Sequence, residues 1–103
     1  AIQQMLADMA TAIHALRLMV LDCAKKFDQG LYIRRESSMC KLFGIDTVRM
    51  VTDKALEILG GRGFFKTSDF ERIYRDARAG WLEEGTPTIL RTVISREVIN
   101  AGA

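Results

Sequence analysis

A glutamate directly before a predicted helix start is the side chain of this sequence best suited to chemistry. Glu84 and Gly85 precede Thr86 and Pro87, and a threonine followed by proline predicts an N-cap and a first helical residue. Desolvation in an apolar pocket raises the proton affinity of a carboxylate, which suits it to general-base work. The helix N-terminus opposes this effect by favouring the charged form. Considered alone, Glu84 is more simply an acid that stabilises a helix start.

A glycine cluster is the second candidate for a functional element. Gly60, Gly61 and Gly63 follow an apolar helical pattern, and Gly60 and Gly61 predict a left-handed C-cap for that helix. Glycines also allow another backbone or a ligand to approach closely, since they carry no Cβ. The cluster alone does not identify a ligand.

Composition excludes several classes of function. The 15 basic and 13 acidic side chains give a net charge of +2, which is too balanced to indicate a nucleic acid or membrane-surface partner. No run of 18 apolar residues predicts a membrane span. One histidine and two cysteines do not complete a zinc site. We expect Cys23 and Cys40 to be reduced thiols, because the sequence is helical, poor in cysteine and without a secretion signal.

Helical periodicity covers most of the chain, and no segment alternates as a strand would. We expect helices from the start to about Lys26, from about Ser37 to Leu59, from a Ser68–Glu71 capping box onward, and from Thr86 to about Asn100. Short links between four helices predict an all-α, four-helix up-down bundle. The first residue, Ala1, lies inside the apolar pattern without an N-cap, which predicts a segment of a longer chain.

Apolar residues at helical spacing predict which side chains are buried. They are Ile2, Met5, Met9, Ile13, Leu16, Val20 and Cys23 in the first helix, Met39, Leu42, Phe43, Val48, Val51, Ala55 and Ile58 in the second, and Ile89, Leu90, Val93, Ile94 and Val98 in the last. Gly44 interrupts the second helix at a cost of about 1 kcal/mol relative to alanine. We therefore expect a close contact with another helix at Gly44.

Taken in order, these motifs resemble the C-terminal helical domain of acyl-CoA dehydrogenases. The matching residues are Ala55, Glu57, Ile58, Gly60, Gly61 and Gly63, then Arg75, Asp76, Ala77 and Arg78, then Glu84, Gly85, Thr86, Ile89 and Arg91. The resemblance begins with the opening AIQQMLADMA and spans nearly the whole chain. It leaves two interpretations of Arg75 and Asp76: a salt-bridged helix surface, or residues that fix the loop leading to Glu84.

The resemblance implies a reaction and assigns residues to it. In this family a glutamate, here Glu84, removes a proton from the carbon beside an acyl-CoA thioester, and FAD accepts a hydride from the next carbon. The Glu84 backbone N–H also polarises the thioester carbonyl, and Gly85 is implied to contact substrate. The residues implied to bind FAD are Glu57, Ile58, Leu59, Gly60, Gly61, Thr86, Pro87 and Thr88.

Three residues depart from the family pattern. Glu57 replaces the usual glutamine, Glu83 replaces a frequently apolar residue, and Thr88 replaces a glutamine or glutamate. A desolvated, unpaired carboxylate near a pyrophosphate is repelled strongly. Glu57 therefore points away, pairs with Arg62 or Lys66, or alters FAD binding.

The resemblance also implies partners and a location. They are an acyl-CoA substrate, an electron-transfer flavoprotein or similar acceptor, and further copies of the chain in a dimer or tetramer, with the glycine loop approaching the FAD of a neighbouring subunit. The implied location is the bacterial cytoplasm or the mitochondrial matrix. Related acyl-CoA oxidases share this domain. A stand-alone helical interaction module without catalysis explains the helices equally well, but not the order of the motifs.

Overall fold

The computed structural model of the chain describes residues 1–60, 69–79 and 86–102. These residues form four helices: α1 (Ile2–Asp28), α2 (Arg34–Leu59), α3 (Asp69–Ala79) and α4 (Pro87–Asn100). The described residues contain no strand, and none of their helices is long and apolar enough to cross a membrane. The predicted all-α fold of four helices is confirmed.

The boundary between α1 and α2 differs from the prediction by a few residues. α1 continues to Asp28, and the turn follows at Gly30, whose φ is +76°. α2 begins at Arg34, three residues before the predicted start. The backbone N–H of Ser37 donates to the Ile33 carbonyl at 2.8 Å, which closes the first turn before Ser37 is reached. Arg34 therefore belongs to the helix and not to its approach.

α2 is the element against which the other three helices pack. On α1, the methyl groups of Leu16 lie against Gly44, and the Lys26 Nζ atom donates to Glu36 at 3.3 Å. The earlier residue of α1, Leu16, therefore contacts the later residue of α2, Gly44, so the two helices are antiparallel. On α3, the Tyr74 hydroxyl donates to Asp53 at 2.8 Å.

The described residues enclose a small core. Their only buried apolar side chains are Ile45 and Leu90, which are 8% and 7% exposed. The radius of gyration is 16.1 Å, compared with about 13 Å for a compact chain of this length. The extents of 49 × 27 × 23 Å show the same elongation. One central helix cannot cover the apolar faces of three others.

The burial prediction is therefore wrong for part of each apolar stripe. The exposed members are Ile2, Ile13 and Val20 of α1, Val48 of α2, and Ile89 of α4, which is 56% exposed. No residue of α1 is fully buried. The physical reason is that α1 packs mainly on α2, so much of its apolar face has no neighbour within the described chain.

Polar side chains occupy two buried positions of α2 that sequence analysis missed. Thr47 and Thr52 are 4% and 8% exposed. The Thr52 hydroxyl donates to the Val48 carbonyl at 2.7 Å, which satisfies the hydroxyl inside the helix. Because threonine can use its own helix as a hydrogen-bond partner, its burial leaves no mark in an apolar pattern.

Gly44 lies beside α1 as expected, but the contact does not require glycine. A Cβ atom added at Gly44 would lie 3.7 Å and 4.0 Å from the two methyl carbons of Leu16. Both distances are ordinary van der Waals separations. The prediction of a neighbouring helix is confirmed, and these distances leave room for a methyl group at Gly44.

Candidate functional site

The N-terminus of α4 has the cap that the sequence predicts. Thr86 is extended, with φ −79° and ψ 161°, and its side-chain oxygen accepts from the Ile89 N–H at 3.3 Å. Pro87 occupies the first turn, where a missing N–H costs nothing and the fixed φ suits the helix. The Leu90 N–H donates to the Thr86 carbonyl at 3.0 Å. The positive end of the α4 dipole therefore lies at Thr86, two residues after Glu84 in the sequence.

The C-terminus of α2 ends on a glycine in an unusual backbone conformation. Gly60 has φ +62° and ψ −138°, and its N–H donates to the Leu56 carbonyl. The positive φ agrees with the prediction, but this ψ lies outside the left-handed helical region, so Gly60 itself is not the left-handed residue of the predicted cap. Gly61, the other residue of that prediction, lies outside the described residues. The conformation of Gly60, a mirror image of the extended one, is open to glycine because no Cβ clashes with the backbone. Among the described residues, no atom lies within 4 Å of where a Cβ would stand.

The residues predicted to bind FAD divide between these two helix ends. Glu57 and Leu59 are exposed in the last turn of α2, and Ile58 between them is half-buried. At the start of α4, Thr88 is exposed and Pro87 is half-buried. The predicted residues Glu84, Gly85 and Gly61, with Gly63, Arg62, Lys66, Glu83 and Ser68, lie outside the described residues.

α3 runs beside α2 in the opposite direction. Tyr74 contacts Asp53 near the end of α2, whereas Asp76 and Ala77 line a pocket with residues of its middle, Gly44 among them. Successive residues of α3 therefore reach earlier levels of α2.

α4 continues in that direction, towards the beginning of α2. The Tyr32 hydroxyl, just before α2, donates to Glu97 near the end of α4 at 2.9 Å. At 1.5 Å per residue, the 26 residues of α2 rise about 39 Å, whereas the stretch from Glu97 back to Thr86 rises about 16 Å. Thr86 then lies about 20 Å from Gly60 along the α2 axis. The structure does not bring the two groups of predicted FAD-binding residues together within one chain.

A pocket that sequence analysis did not anticipate lies where α1, α2 and α3 meet. Its volume is about 390 Å³, and its lining residues are Leu16, Val20, Cys40, Lys41, Gly44, Ile45, Val48, Asp76 and Ala77. Asp76 belongs to the Arg-Asp-Ala-Arg motif and is exposed at this pocket. This placement does not decide between the two interpretations of Asp76, because the loop leading to Glu84 lies outside the described residues.

Polar side chains form contacts in and beside the α1–α2 connection. The exposed Tyr32 hydroxyl donates a hydrogen bond to Glu97, and this bond raises the pKa of Tyr32. At the end of α1, Lys26 lies 3.0 Å from Asp22 and 3.3 Å from Glu36, and the hydrogen bond to Asp22 is the largest cause of its raised pKa. Tyr32 and Glu97 are 65 residues apart, so no local pattern in the sequence indicates their contact.

The family model for the acyl-CoA dehydrogenase C-terminal domain matches residues 1–99. The chain belongs to the acyl-CoA dehydrogenase family. The resemblance proposed from the motifs is thereby confirmed, and the family uses FAD. Within the described residues, no group of histidine, cysteine and acidic side chains is arranged to hold a metal ion.

The relatives of this acyl-CoA dehydrogenase domain include a protein named as a reductase and another named as a dehydrogenase. An acryloyl-CoA reductase (NADH) of Anaerotignum propionicum is 45% identical over 95% of this chain and 25% of its own length. The mitochondrial short-chain specific acyl-CoA dehydrogenase of Bos taurus is 38% identical over 98% of this chain and 24% of its own. The chain thus spans about a quarter of the length of these relatives.

A solved structure confirms the fold of the domain. It is described as an electron transferring flavoprotein of Acidaminococcus fermentans, studied for flavin-based electron bifurcation. The similarity has a TM-score of 0.88 at 36% identity and covers 93% of this chain and 25% of the other. The acyl-CoA dehydrogenase domain is therefore similar to one quarter of a larger chain in structure as well as in sequence.

Proposed function

We propose that this domain is the C-terminal part of an FAD-dependent acyl-CoA dehydrogenase in which Glu84 is the general base. The observation that carries the proposal is the start of α4. Thr86 caps the helix and Pro87 opens it, directly after Glu84 and Gly85 in a chain that matches the family through residue 99. The cap fixes the point at which the chain leaves the Glu84 segment.

The reaction divides between the protein and its cofactor. Glu84 accepts the proton from the carbon beside the thioester carbonyl, and its backbone N–H donates to that carbonyl, which stabilises the negative charge that develops there. FAD, when bound, would supply the acceptor for the hydride of the adjacent carbon. Gly85 lies next to the base in the sequence and contacts the substrate in this proposal.

The two described helix ends fit a cofactor that carries phosphates. The first-turn N–H groups of a helix have no partner within the helix, and of these the Thr86 side chain occupies the one at Ile89. The Thr88 N–H is then a donor for an anionic oxygen. At the other end, no described residue fills the space where a Cβ of Gly60 would stand, so a cofactor can approach the backbone there. Glu57 is exposed there and can turn its charge toward solvent.

The distance between these two ends supports a subunit arrangement with shared cofactors. Because Thr86 and Gly60 lie about 20 Å apart along α2, we assign them to different FAD molecules. One is bound by the chain's own Thr86–Thr88 segment, and the other belongs to a neighbouring copy. The exposed apolar side chains of α1, among them Leu6, Leu18 and Leu21, supply surface for such a dimer or tetramer.

The proposal extends to an electron acceptor and a location. A flavin reduced by substrate needs an electron acceptor, and a relative of Acetobacterium woodii, 38% identical over 92% of this chain, is named as the CarC subunit of a caffeyl-CoA reductase-Etf complex. We therefore propose an electron-transfer flavoprotein as partner, in the bacterial cytoplasm or the mitochondrial matrix. The reductase among the relatives makes the opposite direction, reduction of an enoyl-CoA, the second candidate.

The test is a substitution of Glu84 in the full-length flavoprotein. Glu84→Gln keeps the side-chain size and removes the base, so flavin and acyl-CoA should still bind while flavin reduction slows by at least about 10³–10⁴-fold. Stopped-flow reduction with a panel of acyl-CoA thioesters measures this rate and identifies the substrate. The matched control is Glu83→Gln, one residue earlier, which should reduce its flavin at nearly the wild-type rate.

Two outcomes would contradict the proposal. A near wild-type rate of flavin reduction in Glu84→Gln would mean that another residue is the base. Glu84 would then only stabilise the helix N-terminus, by about 0.3–1 kcal/mol. A protein that purifies without flavin and binds no acyl-CoA would favour the non-catalytic helical module.

A further inference from the structure

We propose that Cys23 and Cys40 form an oxidisable dithiol, which a peroxide closes to a reversible disulfide between α1 and α2. The two cysteines are free, and each is partly exposed. Cys23 lies on α1 and Cys40 on α2, which are antiparallel and are the two longest described helices. This proposal does not rest on the dehydrogenase reaction.

The register of the helix pair places the two thiols opposite each other. Lys26 of α1 bonds to Glu36 of α2 at 3.3 Å. One turn back along α1 from Lys26 is Cys23, and one turn forward along α2 from Glu36 is Cys40. Because the helices are antiparallel, these steps lead to the same level on the same face.

A pocket between the helices confirms that both cysteines face the same space. Its volume is about 310 Å³, and its lining residues are Val20, Cys23, Ala24 and Phe27 from α1, with Ile33, Ser37 and Cys40 from α2. A space of this size admits a peroxide, which is little larger than water. The pocket brings the oxidant to both sulfurs at once.

The surroundings of Cys40 disfavour its thiolate form. Burial raises the pKa of the Cys40 thiol, and the Cys23 thiol and the carboxylates of Asp22 and Glu36 raise it further. A thiolate is the nucleophile in such reactions. A raised pKa leaves less of Cys40 as thiolate, so Cys23 attacks first in the proposed reaction.

The reaction balances with hydrogen peroxide as the oxidant. The Cys23 sulfur attacks one peroxide oxygen, forms an S–O bond and breaks the O–O bond, and the other oxygen leaves as water after protonation. The Cys40 sulfur then attacks the Cys23 sulfenic acid, the S–S bond forms, and the hydroxyl group leaves as a second water. Two thiols lose two electrons and two protons in total, and the peroxide gains them. A dithiol reductant reverses the bond by exchange.

The experiment maps the cysteines of the purified full-length protein after treatment with hydrogen peroxide. The protein is denatured, alkylated and digested under non-reducing conditions for mass spectrometry. We expect Cys23 and Cys40 to escape alkylation together, in one linked peptide that lacks two hydrogens. Dithiothreitol should return both to the alkylated form. A reagent that traps sulfenic acids should label Cys40→Ser at Cys23 more strongly than it labels Cys23→Ser at Cys40.

Three results would overturn the proposal. Alkylation of both cysteines after peroxide treatment would show that they are not oxidised. Added oxygen on each cysteine without a linked peptide would show that the two thiols react independently. A disulfide between two chains, seen on a non-reducing gel and lost on dilution before treatment, would assign the cysteines to a contact between copies. The mapping uses the wild-type protein, so it does not depend on the folding of a variant.

Discussion

Replacing Gly44 by alanine should stabilise the domain, because Gly44 lies in the interior of the continuous helix α2. Alanine is favoured over glycine in a helix interior by about 1 kcal/mol. The added Cβ would meet the Leu16 methyl carbons at 3.7 Å and 4.0 Å, and each such contact contributes about 0.1–0.2 kcal/mol. We expect Gly44→Ala to raise the free energy of unfolding by about 1 kcal/mol.

The same substitution at Gly60 is the matched control and should act in the opposite direction. Among the described residues, no atom lies within 4 Å of a Cβ placed at Gly60, so contacts with those residues do not separate the two sites. The φ of +62° does, because a residue with a Cβ in such a sparsely populated region costs about 1–3 kcal/mol. Gly60→Ala should therefore lower the free energy of unfolding.

Thermal unfolding followed by circular dichroism measures both changes. For a domain of this size, 1 kcal/mol corresponds to a shift of about 4–8 °C in the midpoint. Gly44→Ala should shift the midpoint upward by this amount and Gly60→Ala downward by at least as much. A lower midpoint for Gly44→Ala would refute the reasoning, because it would mean that α1 and α2 are packed too closely at Gly44 for a methyl group.

The remaining predictions concern burial and one titrating group. Leu90 is 7% exposed and Ile89 is 56% exposed, so Leu90→Ala should destabilise the domain by about 2–5 kcal/mol and Ile89→Ala by about 0.5 kcal/mol or less. Denaturant titrations measure both changes, and equal effects would contradict the orientation of α4. The Tyr32 hydroxyl should titrate above its ordinary range near 10, because the protonated form donates to Glu97. Its contribution to stability is complete below the unfolded pKa and is lost as the pH rises through the higher folded pKa. Ultraviolet difference spectroscopy follows this titration, Tyr32→Phe identifies the signal, and an unshifted titration would contradict the contact.

Local sequence determined the elements of this domain and the family to which it belongs. Helical spacing predicted four helices, and the threonine before proline predicted the cap at Thr86, because caps and periodicity depend on neighbours within about one turn. The order of the glycine, Arg-Asp-Ala-Arg and Glu-Gly-Thr motifs identified the acyl-CoA dehydrogenase family, since motif residues keep their chemistry wherever the chain places them. The start of α2 was missed by three residues, because the turn closed at Ile33 depends on backbone geometry that the side chains do not specify.

Tertiary structure decided which apolar faces are covered and which residues meet. The periodicity of α1 and α4 is the same whether a neighbour lies against each face or not, so Ile13 and Ile89 were predicted to be buried and are exposed. The pairing of Tyr32 with Glu97 depends on how α4 crosses α2, and the alignment of Cys23 with Cys40 on the register between α1 and α2. The separation of Gly60 from Thr86 follows from the directions in which α3 and α4 run beside α2. The sequence determines which side chains lie on each face of a helix, whereas the packing between helices determines which residues those side chains contact.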